Sequence, residues 1–302
     1  MTGTEFAARK STIKVMASSP FGAGKSYFAM SFPKVWYEGT EPSGVEFLKL
    51  PECAHLLANL VEHREVLVDP SQGRSEVKAL VEEVNAPVMC NRGVVKEGVI
   101  YSDLKAAHQA FKDGKVETLV FDNLTYLAQM FWTYINLVLR PDFETKDGKI
   151  DTLKMYGYLS SWLYRFMLTH VVSFPGNVVV TCHLKDESAE KLEKKRDKQV
   201  SVVPSILGGF RDLAEGMFTA SIYLEKKMLR VTDPASGKVS DKLTYWAYCD
   251  TQTAYGSKIL AKNRHGLPAK MENITYQAIM QAIRDKGKGQ VQTQPTLQAV
   301  SK

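Results

Sequence analysis

The sequence predicts an α/β protein with a mostly parallel sheet flanked by helices, and three features predict it. Ser18–Ser26 reads Ser-Ser-Pro-Phe-Gly-Ala-Gly-Lys-Ser, a glycine-rich turn between an apolar run and a helix-like one. Thr118-Leu-Val-Phe-Asp122 is a short buried-type strand that ends in an acid. Between and after these, strand-like and helix-like stretches alternate, as crossover connections between parallel strands require.

The elements follow in order. Thr12–Ala17 reads as a buried strand, and Lys25–Ser31 opens a helix with Tyr27, Phe28 and Met30 as its apolar positions. A second strand covers Val35–Tyr37 and runs into the turn-rich Glu38–Gly44, where ligands of open α/β sheets gather. Arg64–Asp69 reads as a strand, Ser75–Val84 as a helix and Val94–Tyr101 as a hairpin, so that residues 45–101 form an elaboration on the core. Asp103–Lys112 reads as a helix before the strand Thr118–Asp122. Helical runs then cover Leu124–Leu139 and Thr152–Val172, and Pro175-Gly176 leads into the strand Asn177–His183. Phe131, Trp132, Tyr134, Met155, Tyr158, Trp162 and Phe166 recur at helical spacing and read as core. After Glu225 the pattern changes to short strands and turns, including Met228–Thr232 and Thr244–Cys249, an antiparallel extension of the sheet. A last helix, about Thr275–Asp285, precedes a basic, disordered-type tail at 286–302, and an arm at 1–10 precedes the domain at 11–285.

Composition bounds the function classes. The 302 residues are 44% hydrophobic and 24% charged, ordinary for a globular chain with a core. No apolar run reaches the ~20 residues of a membrane span, and Met1–Lys10 has no signal-type segment, so a cytoplasmic, non-membrane protein is expected. Cys53, Cys90, Cys182 and Cys249 form no CxxC pair, which argues for reduced thiols over a zinc site. The net charge of +6 and pI near 8.9 suit a polyanionic partner without requiring one.

The glycine-rich turn carries the chemistry. In GxxxxGK[ST], backbone N–H groups wrap phosphates, the Lys reaches the terminal phosphates and the hydroxyl ligates Mg²⁺. Ser19, Pro20, Phe21, Gly22, Ala23, Gly24, Lys25 and Ser26 fill those positions, with Ser19 where the pattern opens on Gly. Strand, loop and helix start in succession is the context the motif needs, so ATP and Mg²⁺ are the expected ligands. Asp122 closes its strand at a Walker-B-type position, where a carboxylate supports the metal. Asn123 follows it, so no acid sits beside Asp122 to polarise water. Glu41 and Glu38, beyond the second strand, are the available carboxylates, and Glu41 is the preferred one. His183 ends its strand as a polar group able to sense the γ-phosphate and move the next loop. In that loop Lys191, Lys194, Lys195, Arg196 and Lys198 face two acids, a net of +3, and are candidates for phosphate-backbone contact.

Together, the loop Ser19–Ser26 with Phe32-Pro33-Lys34 after it, the Glu41 turn, Thr118–Asp122, Thr181–His183 and Ala261-Lys-Asn-Arg264 resemble the RecA-like phage P-loop ATPases. The nearest group is the Sak-type single-strand annealing recombinases of the fourth kind, and the resemblance spans roughly residues 10–285. It implies a RecA-like core that binds ATP and Mg²⁺, assembles as a homo-oligomer (ring or filament) on single-stranded DNA and supports annealing or strand exchange, alongside a single-strand-binding protein. It implies that Lys25 and Ser26 hold phosphate and metal, that Asp122 supports the metal, and that Glu41 is the catalytic glutamate. His183 takes the sensor place and Lys185–Lys198 that of a DNA loop, while Lys262 and Arg264 present cations to a neighbouring subunit's ATP. Ser19, the length of 45–101 and the basic tail depart from the pattern. Two alternatives stand beside this reading: a small-molecule P-loop kinase whose lid is the mixed-charge segment 185–198, and a DNA-annealing scaffold that binds nucleotide with little turnover.

Overall fold

The computed structural model describes residues 12–41, 44–66, 78, 99–186, 200–206, 209–232, 239–250, 252–254, 257–259 and 261–290. Its centre is a twisted sheet. Strand β1 (Lys14–Ser19) is followed by the glycine-rich loop and α1 (Lys25–Met30), then β2 (Val35–Gly39) and β3 (Leu60–Glu65). Helix α2 (Val99–Lys112) leads to β4 (Thr118–Asp122), α3 (Leu124–Tyr134), α4 (Thr152–Phe166) and β5 (Asn177–Asp186). Next come β6 (Val200–Pro204), α5 (Phe210–Met217), β7 (Ala220–Thr232) and β8 (Val239–Tyr248). The short strands β9 (Gln252–Ala254), β10 (Ser257–Ile259), β11 (Lys262–Asn263) and β12 (Lys270–Glu272) precede α6 (Tyr276–Gln290).

Among the described residues the main path across the sheet is β12-β8-β7-β1-β5-β4-β2-β3. The pairs from β3 through β7 are parallel, and β7–β8 and β8–β12 are antiparallel. This is a RecA-like P-loop core with a C-terminal antiparallel extension. Its distinguishing step is β5, which lies between β1 and β4 although β1 and β4 come first in the chain. The three strands therefore deliver Ser19, Asp122 and His183 to one edge of the sheet. β5 also changes neighbours at that edge. His183 is its last residue paired with β1, opposite Ser19, and from Leu184 onward it pairs antiparallel with β6.

Period-2 alternation sorts the strand side chains into two cores. On one face Ile13, Val15, Ala17, Tyr37, Val120 and Val179 pack with Phe28 and Phe32 near α1 and with Ile279 of α6. On the other, Met16, Trp36, Phe121, Val178 and Val180 pack under α2, α3, α4 and α5 with Leu127, Phe131, Trp162, Phe166 and Phe210. The aromatic and Met positions read as core are buried or pack against this cluster. Burying each such side chain is worth about 1.5–3 kcal/mol. Asn123 and Asp151 cap α3 and α4, accepting from the backbone N–H groups of Tyr126 and Lys154 at 2.9 Å each.

Several boundaries differ from expectation. β3 begins at Leu60, earlier than the predicted Arg64, because the register Trp36↔Glu62 pairs it along the whole of β2. Val99–Tyr101 open α2 instead of closing a hairpin, and Ile100 is buried in its core contact. The helical run at 124–139 is α-helical to Tyr134 and continues as a π turn, Ile135–Leu139, and that at 152–172 ends likewise in Met167–Val172. α6 extends to Gln290, taking in Gly287 and Gly289, which read as the start of the tail. β6 and α5 were not anticipated. The predicted helix at 75–84, apart from residue 78, the residues 94–98, the arm 1–10, Cys90 and the tail beyond Gln290 lie outside the described residues. Cys53, Cys182 and Cys249 are free and buried. No described helix is long and apolar enough to cross a membrane.

Candidate functional site

The loop between β1 and α1 is shaped by its glycines. Gly22 (φ 71°) and Gly24 (φ 87°) occupy the left-handed region, where an L side chain is strained. Ser19, in the place where the motif opens on Gly, is the last residue of β1 and outside that region. A glycine is therefore not needed there. The serine instead receives a hydrogen bond from Lys25 Nζ at 3.1 Å through its Oγ, which itself donates to the carbonyl of Pro20 at 2.7 Å. Lys25 Nζ also donates to the Pro20 carbonyl at 3.1 Å and lies 3.2 Å from His183 Nδ1. Burial pushes the Lys25 ammonium below its ordinary range, while Asp122 and Glu41 pull it back up.

Asp122 is the hub of the site. Ser26 donates to its Oδ2 at 2.9 Å, Tyr37 donates its hydroxyl to the same oxygen, and Thr181 donates to Oδ1. Burial, then the Asp122 charge, raise the Tyr37 phenol well above its usual value, which keeps it a neutral donor. The hydroxyl and carboxylate oxygens held side by side are the hard donors that Mg²⁺ takes together with phosphate and water. The residues present thus fit the ion. Among the described residues no cluster of three or more His, Cys, Asp or Glu offers a competing metal site.

A second polar group adjoins the first. Asn123 donates its amide to Glu41 Oε2 and lies 3.2 Å from His183 Nε2, and His183 Nε2 is 3.3 Å from the same Glu41 oxygen. Burial alone would raise the Glu41 carboxyl. The hydrogen bond and charge of His183, with Lys25 and Asn123, outweigh it and hold Glu41 below the ordinary carboxylate range. Thr40 donates its hydroxyl to the Asn123 carbonyl at 2.6 Å and its N–H to the Asp122 carbonyl at 2.6 Å. Phe21, 70% exposed, stacks on the His183 ring at 3.8 Å.

The sequence-predicted residues thus divide. Lys25, Ser26, Asp122, Glu41 and His183 come together, with Phe21 over them. Glu38 does not: it is 0% exposed on the opposite face of β2, where Trp36 Nε1 lies 3.4 Å from it, and burial and then Asp103 raise its carboxyl well above the usual range. Strand alternation puts Tyr37 at the site and Glu38 away from it. Lys262 pairs with Ser221 and Arg264 N–H donates to Thr219, beside the start of β1, so they lie at the end of the sheet away from this chain's own phosphate loop. Lys191, Lys194, Lys195, Arg196 and Lys198 are outside the described residues. Tyr37, Thr40 and the amide of Asn123 escaped sequence reasoning, because only the register Gly39↔Asp122 brings them together. Alternation within β2 was the available signal for Tyr37.

Fold and site together define a P-loop nucleotide-binding protein with a RecA-like core. Residues 11–265 match the family described as AAA domain, and the chain belongs to that family. No curated protein matches it. Among solved structures it is similar to a KaiC-like protein from the hyperthermophilic archaeon Pyrococcus horikoshii, at 11% identity over 82% of this chain and 88% of that one, with a TM-score of 0.30.

Proposed function

We propose that this protein is a DNA-stimulated ATPase that binds single-stranded DNA in phage-type recombination, annealing or replication, working as a homo-oligomer, ring or filament, alongside a single-strand-binding protein. The observation that carries the reading is the three-way contact of Glu41, Asn123 and His183, with Lys25 on the other nitrogen of the same imidazole. A water-orienting carboxylate and the phosphate-binding cation share one residue, and the chain runs on from that residue through the mixed-charge segment 185–198 to its basic half, 191–198, with five basic residues against two acidic.

In this reading the N–H groups of the glycine-rich loop and Lys25 bind the β- and γ-phosphates. Bound Mg²⁺ neutralises charge that develops on the phosphates, and Ser26 and Asp122 would hold it. Glu41, kept ionised by His183 and Asn123, orients water in line with the γ-phosphate. Asn123 stands where many ATPases carry an acid, and its amide positions Glu41 instead. Lys191, Lys194, Lys195, Arg196 and Lys198 contact the DNA backbone, and Lys262 and Arg264 serve a neighbouring subunit.

The test is ATP turnover with and without oligo-dT, together with DNA affinity against salt. Turnover is expected to rise with DNA. With about 0.7 counterions released per phosphate contact, the five cations give a log–log salt slope of about −2 to −3.5. Turnover that ignores DNA, or binding with a flat salt response, removes the DNA half of the reading and leaves an ATPase.

A further inference from the structure

The cleft that holds the phosphate loop, about 740 Å³, extends beyond it into a region lined by Phe47, Leu50, Leu224, Leu243 and Tyr245. These residues come from two parts of the chain. Phe47 lies in a 3₁₀ turn, Glu46–Lys49, just after the Glu41 turn, and Leu50 follows it. Leu243 and Tyr245, two apart on β8, share a face of the antiparallel extension, and the register Lys226↔Tyr245 puts Leu224 on that face as well. An apolar slot continuous with a phosphate site has the shape and chemistry to take what a nucleotide carries beyond its phosphates.

Tyr245 is the best-placed of these. A Cβ built on Gly24 would lie 3.2 Å from its Cδ1 and 3.4 Å from its Cε1, so the ring stands directly against the phosphate loop. Its backbone is clamped on both sides: Asn273 N–H donates to the Tyr245 carbonyl at 2.7 Å, and Tyr245 N–H donates to Asn273 Oδ1 at 3.3 Å. Of the polar side chains nearby, Asn273 and Thr275 are engaged within the chain, while Glu52 presents a carboxylate, an acceptor that adenine N6–H and guanine N1–H can serve alike. Asn273 Oδ1 serves Tyr245, its Nδ2 lies 3.5 Å from Glu272, and Thr275 Oγ1 accepts from Ala278 N–H at 3.2 Å. Among the described lining residues the slot offers a stacking face and apolar contact more than edge-reading donors and acceptors.

We infer that this end of the cleft seats the nucleobase, with Tyr245 as its platform, and that it discriminates weakly between purines. The inference rests on the reading of the loop as a triphosphate site. An aromatic face recognises any base through its π-surface, whereas selection between adenine and guanine needs hydrogen bonds to their edges.

Calorimetric titration of the full chain with ATP, GTP and inorganic tripolyphosphate, each with Mg²⁺, tests it. The wild type is expected to bind ATP and GTP within about fivefold of each other, and both at least tenfold tighter than tripolyphosphate. Tyr245→Ala weakens both nucleotides about tenfold and leaves tripolyphosphate within twofold, while Tyr245→Phe stays within twofold throughout. Leu243→Ser, on a side chain 38% exposed and so tolerant of change, weakens the nucleotides several-fold and spares tripolyphosphate. Equal affinity for ATP and tripolyphosphate overturns the base seat while sparing the phosphate site, and failure to bind either overturns the phosphate reading itself. Loss of tripolyphosphate in Tyr245→Ala reduces the ring to a prop for Gly24. GTP bound more than fiftyfold weaker than ATP shows that the edges are read and overturns the weak discrimination.

Discussion

Substituting Asn123 separates stability from chemistry at the centre of the site. Asn123 does two jobs with two atoms: Oδ1 caps α3 by accepting from Tyr126 N–H at 2.9 Å, and Nδ2 donates to Glu41 Oε2. Losing an N-cap costs about 1 kcal/mol, and losing a buried hydrogen bond to a charged group costs about 1.5–3 kcal/mol. Asn123→Ala loses both, together about 3 kcal/mol, or a fall of roughly 6 °C in Tm for a chain of this size. Asn123→Ser keeps a good cap and recovers about 1 kcal/mol of that loss. Asn123→Asp also keeps the cap but turns the donor into a carboxylate beside Glu41; like charges at 4 Å repel by up to about 4 kcal/mol at an effective dielectric of 20. All three leave Glu41 without its amide donor, so kcat should fall about 10- to 100-fold in each, while Tm follows the order Asn, Ser, Ala. Thermal unfolding by circular dichroism and steady-state ATP turnover read the two effects. Equal Tm for Ala and Ser variants refutes the capping account, and an unchanged kcat in all three refutes the role of Asn123 in positioning Glu41.

Three further outcomes follow from the same geometry. Lys25→Met should lose at least 100-fold in ATP turnover without lowering Tm; a buried ammonium with a depressed pKa costs stability at neutral pH, a cost relieved only as pH rises toward 10.5, and methionine removes it. A Tm several degrees below wild type would show that the hydrogen bonds of Lys25 outweigh its burial. Gly24→Ala should destabilise by about 1–2 kcal/mol for the left-handed backbone alone, with Tyr245 displaced in addition; an unaltered denaturant midpoint would contradict the positive φ. Glu41, held below the ordinary carboxylate value of 4.5, contributes stability that is fully present above about pH 4.5 and is lost as pH falls through its lower native value. The urea-unfolding difference between wild type and Glu41→Gln should therefore be constant near neutrality and shrink below about pH 4.5, and a difference independent of pH would count against the ionised, hydrogen-bonded carboxylate.

What the sequence made legible was local. The glycine-rich loop and α1 are contiguous, so spacing alone identified Lys25 and Ser26, and a five-residue apolar run ending in acid marked β4 and Asp122. The parts that escaped depend on pairing across long separations. Tyr37 reaches Asp122 across 85 positions and Thr181 across 59, through strand registers that no window of sequence contains. Glu41 is preferred over Glu38 from sequence, yet both follow the same predicted strand and spacing alone does not part them; one turn of the pleat sends Glu38 into the far core, and Glu41 stays at the edge only because it lies past the end of β2. Ser19 looked like a defect in a motif and is a hydrogen-bond partner of Lys25, a role visible only once its backbone is known to be extended. β6 was hidden by the charged stretch before it, whose composition reads as loop.

The exchange of neighbours along β5 has a mechanical consequence. Up to His183 the strand is laced to β1 on one side and, through Val180, to β4 on the other, with Val179 and Val180 anchored in opposite cores. That stretch cannot slide or roll without tearing two ladders. Past His183 it is tied to β6, and the His183 carbonyl accepts from Ser205 N–H at 2.6 Å. His183 is therefore a seam between a strand laced on both sides and a ribbon paired with β6, and the seam falls on a residue whose ring touches Lys25, Glu41, Asn123 and Phe21. A force on the His183 ring is therefore met by the β1 and β4 ladders on the Val180 side and by the β6 ladder beyond it.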